Sequence, residues 1–158
     1  MEILLKLKKK LSNNMPASRS AGIILFKNTL EGRRYLILRA SKNVHEERPE
    51  FWDIAKGELD KGESGIEAAK REVNEETGIK NFNLISDFKF TAQYFTKRDG
   101  KTIPKFVAVF LAEVSADHEV KLSSEHDAFA WATLEEALKK LSTMKKALHA
   151  ADEFLSGH

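Results

Sequence analysis

Three glutamates on one short, self-punctuated helix constrain this chain more than any other feature. The segment Gly57-Glu58-Leu59-Asp60-Lys61-Gly62-Glu63-Ser64-Gly65-Ile66-Glu67-Ala68-Ala69-Lys70-Arg71-Glu72-Val73-Asn74-Glu75-Glu76-Thr77-Gly78-Ile79 carries its own start and stop signals. Ser64 followed three residues later by Glu67 forms a capping box, in which the hydroxyl accepts from the third helical amide and the carboxylate reaches back. Gly78 can take the left-handed conformation that closes a helix, so the spacing predicts a helix over 65–77. Ile66, Ala69, Val73 and Thr77 recur at three- and four-residue steps and mark the side expected to be buried. Glu72, Glu75 and Glu76 fall within roughly a third of the circumference on another face. Like charges at that spacing cost a few tenths of a kcal/mol per pair, and acid near a helix C-terminus opposes the macrodipole. Either this is a solvated face relieved by Lys70 and Arg71, or it grips a cation.

A hard divalent cation suits such a patch, because Mg2+ takes carboxylate oxygens, keeps some of its waters and is commonly completed by substrate phosphates. Gly57 and Gly62, beside Lys56, allow a tight turn that would aim a backbone carbonyl at the metal and an ammonium at phosphate. These residues closely resemble the Nudix hydrolase box: glycine, five residues, glutamate, seven residues, Arg-Glu, an aliphatic, any residue, Glu-Glu, any residue, glycine, aliphatic. Gly57, Glu63, Arg71, Glu72, Val73, Glu75, Glu76, Gly78 and Ile79 fill every fixed slot. A pattern of that length is far more specific than a lone glycine motif. One departure is Ala55, where many members of the family have proline before the lysine; it touches loop stiffness, not metal chemistry.

With 158 residues, 42% of them hydrophobic, the chain has enough material for one real core. It contains no cysteine, so any metal must be held by oxygen or imidazole. A formal charge of +2 gives no general drive towards nucleic acid or membrane, and neither a membrane contact nor a stable nucleic-acid complex is expected. No apolar run approaches the roughly eighteen residues needed to cross a bilayer. The lysine-rich start, Met1 to Leu11, lacks the order of charge and apolar core of a secretory signal, which leads us to expect a cytoplasmic protein. Leu4, Leu7 and Leu11 suit a short amphipathic helix, and Ile3, Leu5 and Leu7 an edge strand. Residues 1–17 read as a solvated extension and 18–158 as a single domain.

Within that domain, Ser18 to Lys27 is a compact apolar run suited to a buried strand, and Asn28 to Gly32 supplies a turn into a second strand, Arg33 to Ala40. Ser41 to Pro49 reads as an exposed loop, with His45 in solvent. Phe82 to Thr96 and Thr102 to Val114 are expected as long antiparallel strands flanking Arg98-Asp99-Gly100-Lys101, because Asp-Gly favours a type I′ hairpin turn. Ala128 to Trp131 is a further strand, Thr133 with Glu136 caps a helix through about Leu141, and Thr143 to Leu155 forms a closing helix. The expected class is α/β: a mixed β-sheet with helices on both faces, an α/β/α sandwich, which the Nudix resemblance also implies.

Beyond the box, Leu122-Ser123-Ser124-Glu125-His126-Asp127-Ala128-Phe129-Ala130-Trp131 and Leu134-Glu135-Glu136-Ala137 resemble the C-terminal stretch of the asymmetric diadenosine tetraphosphate hydrolases. That resemblance implies hydrolysis of a dinucleoside polyphosphate to ATP and AMP with Mg2+ or Mn2+. The metal would be held by Glu72, Glu75, Glu76, Glu125 and the Gly57 carbonyl. Arg71 would orient the glutamates and Glu63 would tie the loop to the helix; Glu75 and Glu125 are the candidate bases, in that order. Tyr94 matches a tyrosine that stacks adenine, and Lys56 and Lys105 are placed to meet polyphosphate. His126 reads more readily as an orienting or core histidine than as a ligand. The alternatives with the same metals are hydrolysis of RNA 5′-triphosphate ends or of another nucleoside diphosphate derivative such as ADP-ribose.

Overall fold

The computed structural model describes residues 17–42 and 47–157, so the readings of the first sixteen residues and of His45 lie outside it. Eight strands form one mixed sheet: β1 (Ser18–Thr29), β2 (Gly32–Ala40), β3 (Trp52–Asp53), β4 (Ala55–Glu58), β5 (Asn83–Leu84), β6 (Phe90–Arg98), β7 (Lys101–Glu113) and β8 (His126–Ala132). Among the described residues the helices are α1 (Gly65–Thr77), α2 (Leu134–Lys140) and α3 (Lys145–Ser156). β1 is central, antiparallel to β2 and β4 and parallel to β7. None of these helices is long and apolar enough to cross a membrane.

Alternation along β1 builds the three layers, because successive side chains of a strand face opposite sides of the sheet. Ala21, Ile23 and Leu25 pack with Ala68, Ala69 and Val73 of α1. Ile24 and Phe26 point the other way, towards Ala137 of α2, Leu141 just after it, and Ala147 and Leu148 of α3. Both faces of the strand are therefore apolar, as a sheet covered on both sides requires.

Helix α1 spans the predicted residues. Ser64 Oγ accepts from the Glu67 amide at 3.3 Å, and Gly78 closes the helix at φ 74°. The Glu67 carboxylate, however, accepts from the Ser64 hydroxyl at 2.8 Å rather than from its backbone. At α2 the capping box forms in full, with Thr133 and Glu136 satisfying each other's amides. The β6–β7 turn places both Asp99 (φ 53°) and Gly100 (φ 75°) in the left-handed region, as a type I′ hairpin demands.

Two expectations need correction. The run from Phe82 to Thr96 is not one strand: β5 pairs with the end of β7, Asp87 turns the chain at φ 70°, and Phe88 is buried before β6 begins. The closing helix starts at Lys145, after Met144 adopts φ 66°, because Thr143 is engaged with Asp53 instead.

Candidate active site

Arg71 gathers the acid of α1 into a fixed array. Its Nε and Nη2 donate to the two oxygens of Glu63 at 2.8 and 3.0 Å, a bidentate pair, and Nη2 also donates to the Glu58 carbonyl at 3.0 Å. Nη1 donates to Glu72 Oε1 at 2.9 Å and to Glu75 Oε2 at 3.2 Å. Glu63 in turn accepts from the Asp60 amide at 2.8 Å, so the loop is tied down at both ends. The Arg71 hydrogen bonds, with that amide, hold the Glu63 carboxyl below its usual range.

The three helix glutamates occupy three environments. Glu75 is exposed, Glu72 is half-buried and Glu76 is 4% exposed. Burial pushes the Glu76 carboxyl up to about 9, and the charge of Glu72 adds to the rise while the Lys56 amide, donating at 3.2 Å, opposes it. Burial likewise raises Glu72 against the pull of Arg71. Gly57 lies against this pair: a Cβ there would sit 2.2 Å from the Glu72 carboxylate. Its lack of a side chain thus leaves room beside Glu72; it belongs to β4, opposite Ala21, and the left-handed turn residue is Gly62 at φ 85°.

Backbone hydrogen bonds carry Glu125 to the same place. The Lys121 amide donates to the Thr77 carbonyl at 2.8 Å and the Ser123 amide to the Glu76 carbonyl at 3.4 Å, stitching the segment before β8 onto the end of α1. The Ser41 amide then holds the Glu125 carbonyl at 2.9 Å. Ligand atoms of Glu76, Glu125 and His126 consequently lie within 4.8 Å of one another. Burial lowers the His126 imidazole against the opposing charges of Glu125 and Asp53.

The Lys56 ammonium is 2.9 Å from Asp53 and feels the phenol of Tyr94. Burial alone would depress this lysine; the carboxylate and the phenol outweigh it and raise it. Lys105 pairs with Tyr94 across β6 and β7, its ammonium 5.8 Å from the ring centre. Tyr94 also lines a cleft of about 540 Å3 together with Phe90, Thr143, Met144 and Lys146.

A comparison with family models matches the NUDIX domain over residues 16–152. The chain belongs to the Nudix hydrolase family. It is 36% identical over 150 residues to the asymmetrical bis(5′-nucleosyl)-tetraphosphatase of Rattus norvegicus, covering 88% of this chain and 96% of that one. An RNA pyrophosphohydrolase of Bartonella henselae is 28% identical over 155 residues, covering 85% and 87%. Among solved structures, an Ap4A hydrolase binary complex of C. elegans superposes with a TM-score of 0.76 at 31% identity, covering 89% and 99%. As a Nudix pyrophosphohydrolase, the chain acts on a nucleotide-type phosphoanhydride.

Nudix hydrolases generally need a divalent metal, and the residues present fit one. Glu76 is buried beside Glu72, burial raises both carboxyls and the Glu72 charge adds to the rise of Glu76, so a cation among them would stabilise their ionised forms. Its donors are carboxylate oxygens with one imidazole nearby, the set that Mg2+ or Mn2+ accepts. Sequence reasoning missed Asp53, a buried acid that organises Lys56, Thr143 and its own neighbour's amide. The available signal was a single charge inside the apolar run Phe51 to Ala55, three residues before a lysine.

Proposed function

We propose that this Nudix hydrolase cleaves dinucleoside polyphosphates, converting diadenosine tetraphosphate and water to ATP and AMP with Mg2+ or Mn2+. The observation that carries the reading is the reach of Lys56, whose amide donates to Glu76 while its ammonium meets Asp53 and Tyr94. One residue thereby joins the acid cluster to an aromatic ring beside an open cleft. A base stacked on such a ring gains about 1–3 kcal/mol. Similarity to the rat enzyme over nearly its whole length supports the choice of substrate.

In this reading Glu72, Glu75, Glu76, Glu125 and the Gly57 carbonyl hold the cation. When bound, it would polarise the phosphoryl oxygens and make the attacking water more acidic. Arg71 keeps Glu72 and Glu75 aimed, and Lys56 and Lys105 bring positive charge to the polyphosphate. Water oxygen bonds to phosphorus, the P–O bond to the leaving phosphate breaks, and a carboxylate takes the water's proton. Glu125, beside Glu76, is better placed for that than Glu75, which Arg71 occupies. Positioning and charge neutralisation carry most of the rate.

Product analysis with diadenosine tetraphosphate, ADP-ribose, diphosphoinositol phosphates and 5′-triphosphate RNA, each with Mg2+, tests the reading. Equal amounts of ATP and AMP from the first, at the highest kcat/KM, support it. Preference for RNA would transfer the chain to the activity named for its Bartonella henselae relative, with binding that falls steeply as salt is added.

A further inference from the structure

His126 is the first residue of β8, opposite Ala40, with the register shifting between them and the Arg39–Ala128 pair because Asp127 of β8 is the extra residue. The Ser41 amide on Glu125 and the Ser123 amide on Glu76 hold its backbone in place next to the end of α1. Its Nδ1 is sealed from solvent and has no hydrogen-bond partner among the described residues. A histidine that serves only to fill or brace a fold normally gives its buried nitrogen a carbonyl or carboxylate. The charged groups around the ring are the carboxylates of Glu125, Asp53 and Asp127 and the Lys56 ammonium, and one of its two nitrogens and one oxygen each of Glu76 and Glu125 fall within 4.8 Å of one another. Two donors each about 2.1 Å from a shared ion are at most about 4.2 Å apart, so small side-chain rotations would bring all three onto one centre.

We infer that His126 supplies a nitrogen ligand to the cation held by Glu76 and Glu125, an inference that rests on the metal-binding reading given above. Glu76 offers an oxygen from a buried side chain, Glu125 one from an exposed side chain, and His126 a nitrogen from a partly buried ring. The consequence is selectivity. Imidazole suits Fe2+, Ni2+ and Zn2+, and a nitrogen donor penalises Mn2+ less than Mg2+, which takes oxygen donors, so this site ranks transition-metal ions above Mg2+ more strongly than carboxylates alone would.

The test is Mn2+ binding to the full chain, titrated by electron paramagnetic resonance, followed by electron spin-echo measurement of nitrogen coupling to the bound ion. The expected result is a histidine 14N modulation that becomes 15N when histidine alone is labelled. It should disappear in His126→Gln while surviving in His118→Ala and His149→Ala. The same substitution should weaken Mn2+ by about tenfold or more, with a smaller loss for Mg2+. Failure of Mn2+ to bind at all would sink the metal reading itself. Binding without histidine coupling, or coupling that survives in His126→Gln, would overturn the His126 assignment alone. If His126→Gln does not fold by circular dichroism, His126→Asn takes its place, and the labelled native protein still decides whether any histidine is a ligand.

Discussion

Gly57→Ala separates the site from the scaffold that carries it. An added Cβ would lie 2.2 Å from Glu72 Cδ and Oε1 and 2.5 Å from Oε2, whereas ordinary contact begins at 3.4 Å. The carboxylate must therefore retreat by roughly 1 Å, and in doing so it strains its 2.9 Å hydrogen bond from Arg71. The backbone can take the methyl, since Gly57 is a strand residue without a positive φ, and the clash is with the end of a side chain. Stability should change by less than about 1 kcal/mol. A 1 Å misplacement in a catalytic constellation costs about a hundredfold in rate, near 2.7 kcal/mol of barrier. The assay is turnover of diadenosine tetraphosphate at saturating Mg2+, with thermal unfolding measured alongside. In a Glu72→Ala background, where the clash is gone, Gly57→Ala should add little further loss. A folded Gly57→Ala enzyme within threefold of native kcat would refute the idea that contact between Gly57 and Glu72 sets the site.

Glu75→Gln and Glu125→Gln should each lose most turnover with unchanged unfolding curves, as measured by product formation and circular dichroism; near-native rates in both would remove the proposed bases. Glu76 keeps its proton up to about pH 9 in the fold against an ordinary 4.5, so the stability tied to that proton is complete below about 4.5 and is lost as pH rises through 9. The metal-free melting temperature should accordingly fall across that window, and Glu76→Gln should flatten the fall. Cation binding at pH 7 should expel about one proton, read by calorimetry in buffers of differing ionisation enthalpy, with affinity rising about tenfold per pH unit. Gly78→Ala, at φ 74° and with its Cβ 3.3 Å from Lys121 Cβ, should cost about 1–2 kcal/mol in denaturant unfolding.

The features legible in the sequence were those written within a turn or two of chain. Helix α1 was visible because Ser64, the stripe through Val73 and the left-handed Gly78 specify one another locally. The Asp99-Gly100 turn was visible because few residues accept positive φ. The acid of α1 could be counted, but its division into exposed Glu75, half-buried Glu72 and buried Glu76 could not, since burial depends on what β4 and the segment before β8 lay against the helix. A one-residue change in sheet register would exchange the faces of every strand involved, and no short window reveals that choice.

Residues 57–79 by themselves thus determined a capped helix with three acids on one face and an arginine among them. Tertiary structure alone decided that Glu125 and His126, some fifty residues later, would stand beside Glu76, and that Asp53 would claim Lys56 next to Tyr94. The reason is one of range: caps and helical periodicity are satisfied between near neighbours, whereas a cluster of mutually repelling carboxylates forms only when distant backbone hydrogen bonds and a packed core hold it together.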